Sequence, residues 1–241
     1  MKKTEEAVTL EHLNWDTDYF GVVCAKAILH RTLTLNEWKD LNIQFKKFHF
    51  ISIVNKNSES TNAQLIGNST SAFLADVNIQ FAKKIVSSCE IPKNIAIHQS
   101  LQKNEQILRM AEFEFSKFKD DPQLVARGGA QIYQKWLSNS FGKQDKYFAI
   151  HKNDKAINGF ALFSYSGSDC IIELISVSQR ERSSGIGSSL FKAVEYSAFQ
   201  SGCSTIKVGT QARNIGAINF YYKVGCREVE VHQVYHLWND Y

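Results

Sequence analysis

Apolar positions recur along this chain at two periods, and the switching between them sketches the elements. Residues 22–29 read as a strand after the turn-rich segment HLNWDTDYFG. LNEWKDLNIQFKKF carries apolar residues at helical intervals, FISIV reads as a short buried strand, and NKNSESTN as a polar connection. FLADVNIQF predicts another strand, and Pro92 in KKIVSSCEIPKN argues against a regular element running through that segment. NEQILRMAEFEFSKF predicts a helix, DDPQ a turn, and ARGGAQIYQKWLSNS a second helix with Ile132, Trp136 and Leu137 on its inner side.

The remainder is richer in strands. YFAIH and GFALFSY flank the polar turn KNDKAIN and predict a hairpin. IIELISV is nearly continuous in its apolar character, as a central strand covered on both faces would be. Residues 188–200 are amphipathic, with Leu190, Val194 and Ala198 one turn apart and Gly202 placed to stop the helix. STIKVGT predicts a strand, and ARNIGAINFYYKVG a helix opened by Asn214 and ended by Gly225. REVEVHQVYHLW alternates as a last strand. Strand and helix alternate in both parts, so the pattern predicts an α/β protein in two halves, 1–95 and 96–241.

Composition adds limits. The 241 residues are 44% hydrophobic and 22% charged, values of an ordinary globular protein with one large domain or two small ones. The net charge of +4 is scattered, with no like-charged run to mark a nucleic-acid arm, and suits a polyanionic small molecule at least as well as DNA. Five dispersed cysteines, Cys24, Cys89, Cys170, Cys203 and Cys226, read as core filling in a reducing cytoplasm. No apolar h-region follows Lys2 and Lys3, and no stretch of membrane-spanning length occurs, so neither export nor a membrane partner is indicated. His232 and His236 lack a neighbouring carboxylate or thiol cluster in sequence, and no metal is expected.

The segment QRERSSGIGSSL, between IIELISV and the amphipathic helix, carries the candidate chemistry. A P-loop needs a lysine after Gly187, and a dinucleotide fingerprint needs a third glycine where Leu190 stands, so both readings fail. What remains is R-x-x-G-x-G at Arg182, Gly185 and Gly187. Unpaired backbone N–H groups and a helix dipole make such a turn suited to a pyrophosphate. The plain alternative is a strand–helix turn relieved by glycine.

This pattern, followed by STIKVGT and by Asn214, Ala217, Phe220, Tyr221, Lys223 and Gly225, resembles the GNAT superfamily of acyl-CoA N-acyltransferases over roughly residues 147–238. Cys226 stands where that family usually has an aromatic residue, a difference expected to alter packing. LNWDTDYFG, FSKFKDDPQ with YQKWL, and VYHLW are in turn similar to the bacterial TDP-fucosamine N-acetyltransferases. The resemblance implies a GNAT fold, with a mixed and mostly antiparallel central sheet flanked by helices, preceded by a smaller degenerate GNAT-like half. It implies acetyl-CoA as the cofactor, a nucleotide-sugar acceptor and cytoplasmic glycan biosynthesis, and it leaves room for a homodimer.

By the same resemblance, the backbone of Ile175, Ser176 and Val177 pairs with the pantetheine arm, and Arg182, Ser183, Ser184, Gly185, Ile186, Gly187 and Ser188 cradle the pyrophosphate. Asn214, Ala217 and Phe220 line the cofactor. Tyr221 is the general acid for the departing thiolate, in direct transfer through a tetrahedral intermediate; the alternative is a core tyrosine. Glu173 interrupts an apolar strand, as a base working through water or as a strand-end group reaching solvent. Trp15, Asp16, Asp18, Tyr133 and Trp136 are candidates for the sugar-nucleotide site, with core packing the plain alternative for the tryptophans. A different amine acceptor, such as a protein N-terminus or polyamine, and a non-catalytic acyl-CoA sensor are the competing functions.

Overall fold

In the computed structural model, which describes residues 6–87, 90–153 and 156–239, the strands join edge to edge in one sheet. They are β1 (Val8–His12), β2 (Cys24–Leu29), β3 (Phe50–Asn55), β4 (Phe73–Lys84), β5 (Ile95–Gln99), β6 (Tyr147–Asn153), β7 (Ala156–Ser166), β8 (Asp169–Val177), β9 (Thr205–Gln211) and β10 (Arg227–Trp238). Their spatial order is β1-β2-β3-β10-β4-β9-β8-β7-β6-β5. Only β2–β3 and β8–β9 are parallel, so the sheet is mixed and mostly antiparallel, as the resemblance implied. β10 is long enough to hydrogen-bond β3 along one edge and β4 along the other. Strands from residues 1–95 and 96–241 therefore alternate within a single sheet.

Two layers cover it. On one face α2 (Leu35–Phe45) and α3 (Ser60–Ser69) bury Trp38, Leu41, Phe45 and Ile66 against Ala27, Leu29, Ile51 and Ile53. Further along the same face, α8 (Ile186–Gln200) and α9 (Ile215–Lys223) pack on Phe81, Ala161, Ile172 and Val208. Each large side chain fully buried on α8, such as Leu190 and Phe191, contributes about 1.5–3 kcal/mol. The opposite face carries α1 (Asn14–Phe20), α4 (Glu105–Arg109), α5 (Lys117–Asp120), α6 (Pro122–Val125) and α7 (Ile132–Ser140) over two separate apolar clusters.

Several elements depart from the periodic reading. HLNWDTDYFG contains α1, ended by Gly21 at φ 69. The polar stretch NKNSESTN runs into α3, whose buried Asn62 bonds the backbone of Arg31 and Leu33. The helix expected over residues 104–118 holds only through Arg109, because carbonyls beyond it take other partners: Met110 O accepts from Ser176 and Phe113 O from Lys119. The helix expected from Ala126 begins only at Ile132. Gly128 lies at φ 90, and a Cβ on Gly129 would strike the Phe118 and Leu124 carbonyls. Of the cysteines, Cys24, Cys170, Cys203 and Cys226 are free and buried, and Cys89 lies outside the described residues.

Asp121 ties α6 to the end of β10. Its Oδ1 caps α6 through Gln123 N and Leu124 N, while Oδ2 accepts from His236 Nδ1 at 2.8 Å and Trp238 Nε1 at 3.0 Å. Burial opposes the carboxylate, but the bonds from His236 and Trp238 outweigh it and hold Asp121 below the usual carboxylate range. Burial likewise keeps His236 below its ordinary 6.5 despite that bond. Both groups bind protons more weakly folded than unfolded, so stability is lost as pH falls. Urea unfolding should show that loss beginning near pH 6.5, where unfolded histidine takes up its proton. Asp121→Ala should cost roughly 3 kcal/mol at pH 7, because it leaves the buried His236 without its partner.

Candidate active site

The site begins where the sheet comes apart. β8 and β9 are paired only from Asp169–Thr205 to Ile172–Val208, and beyond that point the two strands separate. At the same level β8 carries a bulge: Leu162 faces Leu174 and Phe163 faces Ile172, which leaves Glu173 as the extra residue. Glu173 Oε1 accepts from Lys146 Nζ at 2.5 Å and Ser164 Oγ at 2.6 Å, while Oε2 is buried without a partner among the described residues. The strand-end alternative, a glutamate reaching solvent, does not hold. Ile175, Ser176 and Val177 still pair with Ala161, Phe160 and Gly159 of β7 on one edge. Their other edge faces the opening.

A tight turn follows. Ser183 and Gly185 adopt φ 67 and φ 88, and the chain then enters α8 with no side chain capping its first N–H groups. Arg182, Ser183, Ser184 and Gly185 are exposed, Ile186 is buried under the helix, and Gly187 and Ser188 are half-buried. Gly185 is required by its backbone conformation. Gly187 answers to packing, since a Cβ there would lie 3.2 Å from the Phe220 ring. The two arms read from sequence thus touch: the glycine of one carries the aromatic of the other.

α9 leaves the end of β9 and returns over the opening. Asn214 Oδ1 accepts from Ala217 N at 3.1 Å as its cap, and Gly225 at φ 91 ends it. Tyr221 is 4% exposed, packs on Phe81 and Phe220, and has no partner for its hydroxyl among the described residues. Burial pushes its phenol well above the ordinary value, so it stays protonated and able to donate. Tyr222 points outward and bonds Glu228 at 3.0 Å. Cys226 is fully buried in the same cluster.

The residues read from sequence as sugar-nucleotide candidates lie on the opposite face. Tyr133 of α7 reaches Ser116 and Gln211, the last residue of β9. Trp136 stacks on Tyr133, and Trp15 stacks on Tyr19 at 5.3 Å; both tryptophans are 38% exposed and lie outside the core. Asp16 is half-buried, and burial raises its carboxyl above the ordinary value. Register shows what sequence reading missed. Lys26, Ser52 and His236 lie abreast on β2, β3 and β10, and Asp76, Asn78 and Gln80 follow along β4 beside Gln211 and Gly209 of β9. This polar lane runs between the two apolar clusters from the N-terminal half to the splay. The signal in the sequence was a polar residue at every second position within FLADVNIQF.

A splayed parallel pair, a bulged strand, an uncapped helix N-terminus and a buried tyrosine thus lie around one opening. The family model described as Acetyltransferase (GNAT) family matches residues 104–226, and the chain belongs to that family. Among curated proteins it is 24% identical over 136 residues to the spore coat polysaccharide biosynthesis protein SpsD of Bacillus subtilis (strain 168), covering 56% of this chain and 47% of SpsD. The chain spans about half the length of the curated relatives it matches. Two solved structures share the fold. A functionally unknown conserved protein from Staphylococcus epidermidis ATCC 12228 superposes with a TM-score of 0.67 at 14% identity, over 100% of this chain and 94% of the other. A GCN5-related N-acetyltransferase from Sphaerobacter thermophilus gives 0.63 at 12% identity, over 96% and 76%. No helix among the described residues is long and apolar enough to cross a membrane.

Gly185→Ala should strain the turn by about 1–2 kcal/mol. That strain exists only in the folded chain, so Tm should fall by roughly 2–8 °C, and the Kd for acetyl-CoA measured by calorimetry should rise several-fold.

Proposed function

We propose that the chain transfers the acetyl group of acetyl-CoA to the amino group of a TDP-linked 4-amino-4,6-dideoxy sugar, for surface glycan assembly. In this reading residues 1–95 supply the acceptor-binding half and residues 96–241 the catalytic half. The polar lane carries the proposal. It leads away from the splay across several strands, longer than a simple amine needs, and ends among basic side chains. The segments FSKFKDDPQ and VYHLW meet beside it, at the bonds of Asp121 to His236 and Trp238. SpsD, the curated relative, is described as a polysaccharide biosynthesis protein, which agrees with a sugar acceptor.

The open edge at Ile175, Ser176 and Val177 fits an extended pantetheine arm taken up like an added strand. Arg182 and the backbone from Ser183 to Ser188 hold the diphosphate at the α8 N-terminus, whose first N–H groups have no other use. Asn214, Ala217 and Phe220 close the other side. A backbone N–H at the Glu173 bulge polarises the thioester carbonyl that the amine attacks. Tyr221 donates its phenolic proton to the sulfur as the carbon–sulfur bond breaks. For the proton that the sugar ammonium must lose first, Glu173 stands at the bulge with one oxygen free of partners. Trp15, Asp16, Tyr133 and Trp136 present stacking surfaces and a carboxylate to the sugar nucleotide.

Release of CoASH should be fast with TDP-4-amino-4,6-dideoxygalactose and slow with a UDP-amino sugar, a peptide N-terminus or a polyamine. Turnover with the peptide but no sugar nucleotide would overturn the proposal. Acetyl-CoA binding without CoASH release for any acceptor would make the protein a sensor. Tyr221→Phe keeps the buried ring and removes the proton, so kcat should fall about 10²–10⁴-fold with acetyl-CoA affinity retained.

A further inference from the structure

Two ammonium groups, those of Lys117 and Lys26, share the lane with the carboxylates of Asp16 and Asp76. Lys117 starts α5 and enters from above, with its Nζ 3.4 Å from Ser52 Oγ on β3. Lys26 stands on β2 directly beside Ser52. Among the described residues neither lysine is in an ion pair. The cleft's carboxylates, Asp16 and Asp76, act on Lys117 only at longer range, and its interaction with Lys26 is the stronger one. Burial and the Lys26 charge push the Lys117 ammonium down to about 8, so it is still mostly charged at neutral pH.

Such an arrangement is costly, because the buried Lys117 ammonium loses hydration and no carboxylate bonds it directly. Other lysines here are paired where they are enclosed: Lys146 with Glu173, and Lys83 with Glu195. The position along the lane also fits. Arg213, two residues past β9, is ion-paired with Asp120 at the end of α5. That bond sets α5 over the open end of the splay, one end of the four-residue helix on β9 and the other on β3. An anion held by Lys26 and Lys117 therefore lies across the lane from the splay, on strands supplied by the N-terminal half.

We infer that Lys26, Ser52 and Lys117 form a diphosphate subsite for the acceptor, separate from the pyrophosphate turn at α8. The inference rests on the acceptor class proposed above for its substrate, but the anion site itself is tested without that substrate. The acceptor diphosphate accepts hydrogen bonds from both ammoniums and the Ser52 hydroxyl. Asp76 and Asp16 act on Lys117 without an ion pair and favour its charged form. The sugar then spans toward Asn78, Gln80 and Gln211, with its amine at the splay.

Inorganic pyrophosphate and TDP are titrated calorimetrically into protein saturated with CoA, so that the α8 turn is filled. Both should bind the wild type, and affinity should fall at least about tenfold in Lys117→Met and in Lys26→Met. Lys117→Arg should retain it, and all three variants should bind acetyl-CoA as the wild type does. With the TDP-amino sugar the two Met variants should raise KM by the same factor and leave kcat within about twofold, and the free amino sugar should show no difference. No binding of either anion to the CoA-filled wild type, or binding that survives both Met substitutions, overturns the subsite. Lysine-dependent binding of pyrophosphate by an enzyme that does not acetylate the TDP-amino sugar keeps the subsite and rejects the proposed acceptor.

Discussion

Pairing between β8 and β9 stops after four residues, and the rest of the site depends on that interruption. A parallel pair that continued to Val177 would satisfy the edge of β8 with backbone bonds and leave nothing for an acyl carrier to meet. The bulge at Glu173 sits at the level where the strands part, and it is fixed by an enclosed bond to Lys146 and another to Ser164. Removing one partner of such a pair leaves a charge in a dry place, so the bulge is held firmly. The ends of the two strands then lead into α8 and α9. β8 runs through a left-handed turn into α8, and β9 runs into α9 with Tyr221.

The N-terminal residues are part of that arrangement. β4 occupies the place beside β9, and its Phe81 forms one wall of the Tyr221 ring. On the reverse face β4 presents Asp76, Asn78 and Gln80. One strand thus supplies apolar packing to Tyr221 and polar groups to the lane, which the alternation of a strand makes possible. β3 pairs with the end of β10, which Asp121 in turn holds against α6.

Much of this was legible in the chain. The limits of β10, the cap and stop of α9 and the hairpin of β6 and β7 follow from local signals: strict alternation, Asn214, Gly225 and a polar turn. Two chemical elements, the R-x-x-G-x-G turn and Tyr221, could be placed because each lies within a few residues of its own motif. α1 and α3 were not legible, since their sequences are polar and their stability comes from contacts such as Asn62 with the Arg31 and Leu33 backbone. The break after Arg109 was hidden for the same reason: Ser176 and Lys119 take the carbonyls from a distance.

By itself, the sequence determined the strands from β6 to β10, the glycine turn before α8 and the cap and stop of α9, because backbone conformation and helical register act over a few residues. Only the tertiary structure decided that Gly187 is set by the Phe220 ring, that Glu173 is tied to Lys146, and that strands of both halves interleave. It alone brought Lys26, Ser52, Asp76 and Lys117 to one cleft. Strand order and face-to-face docking are fixed by burial summed over distant segments, and no local pattern records which polar residues end up abreast.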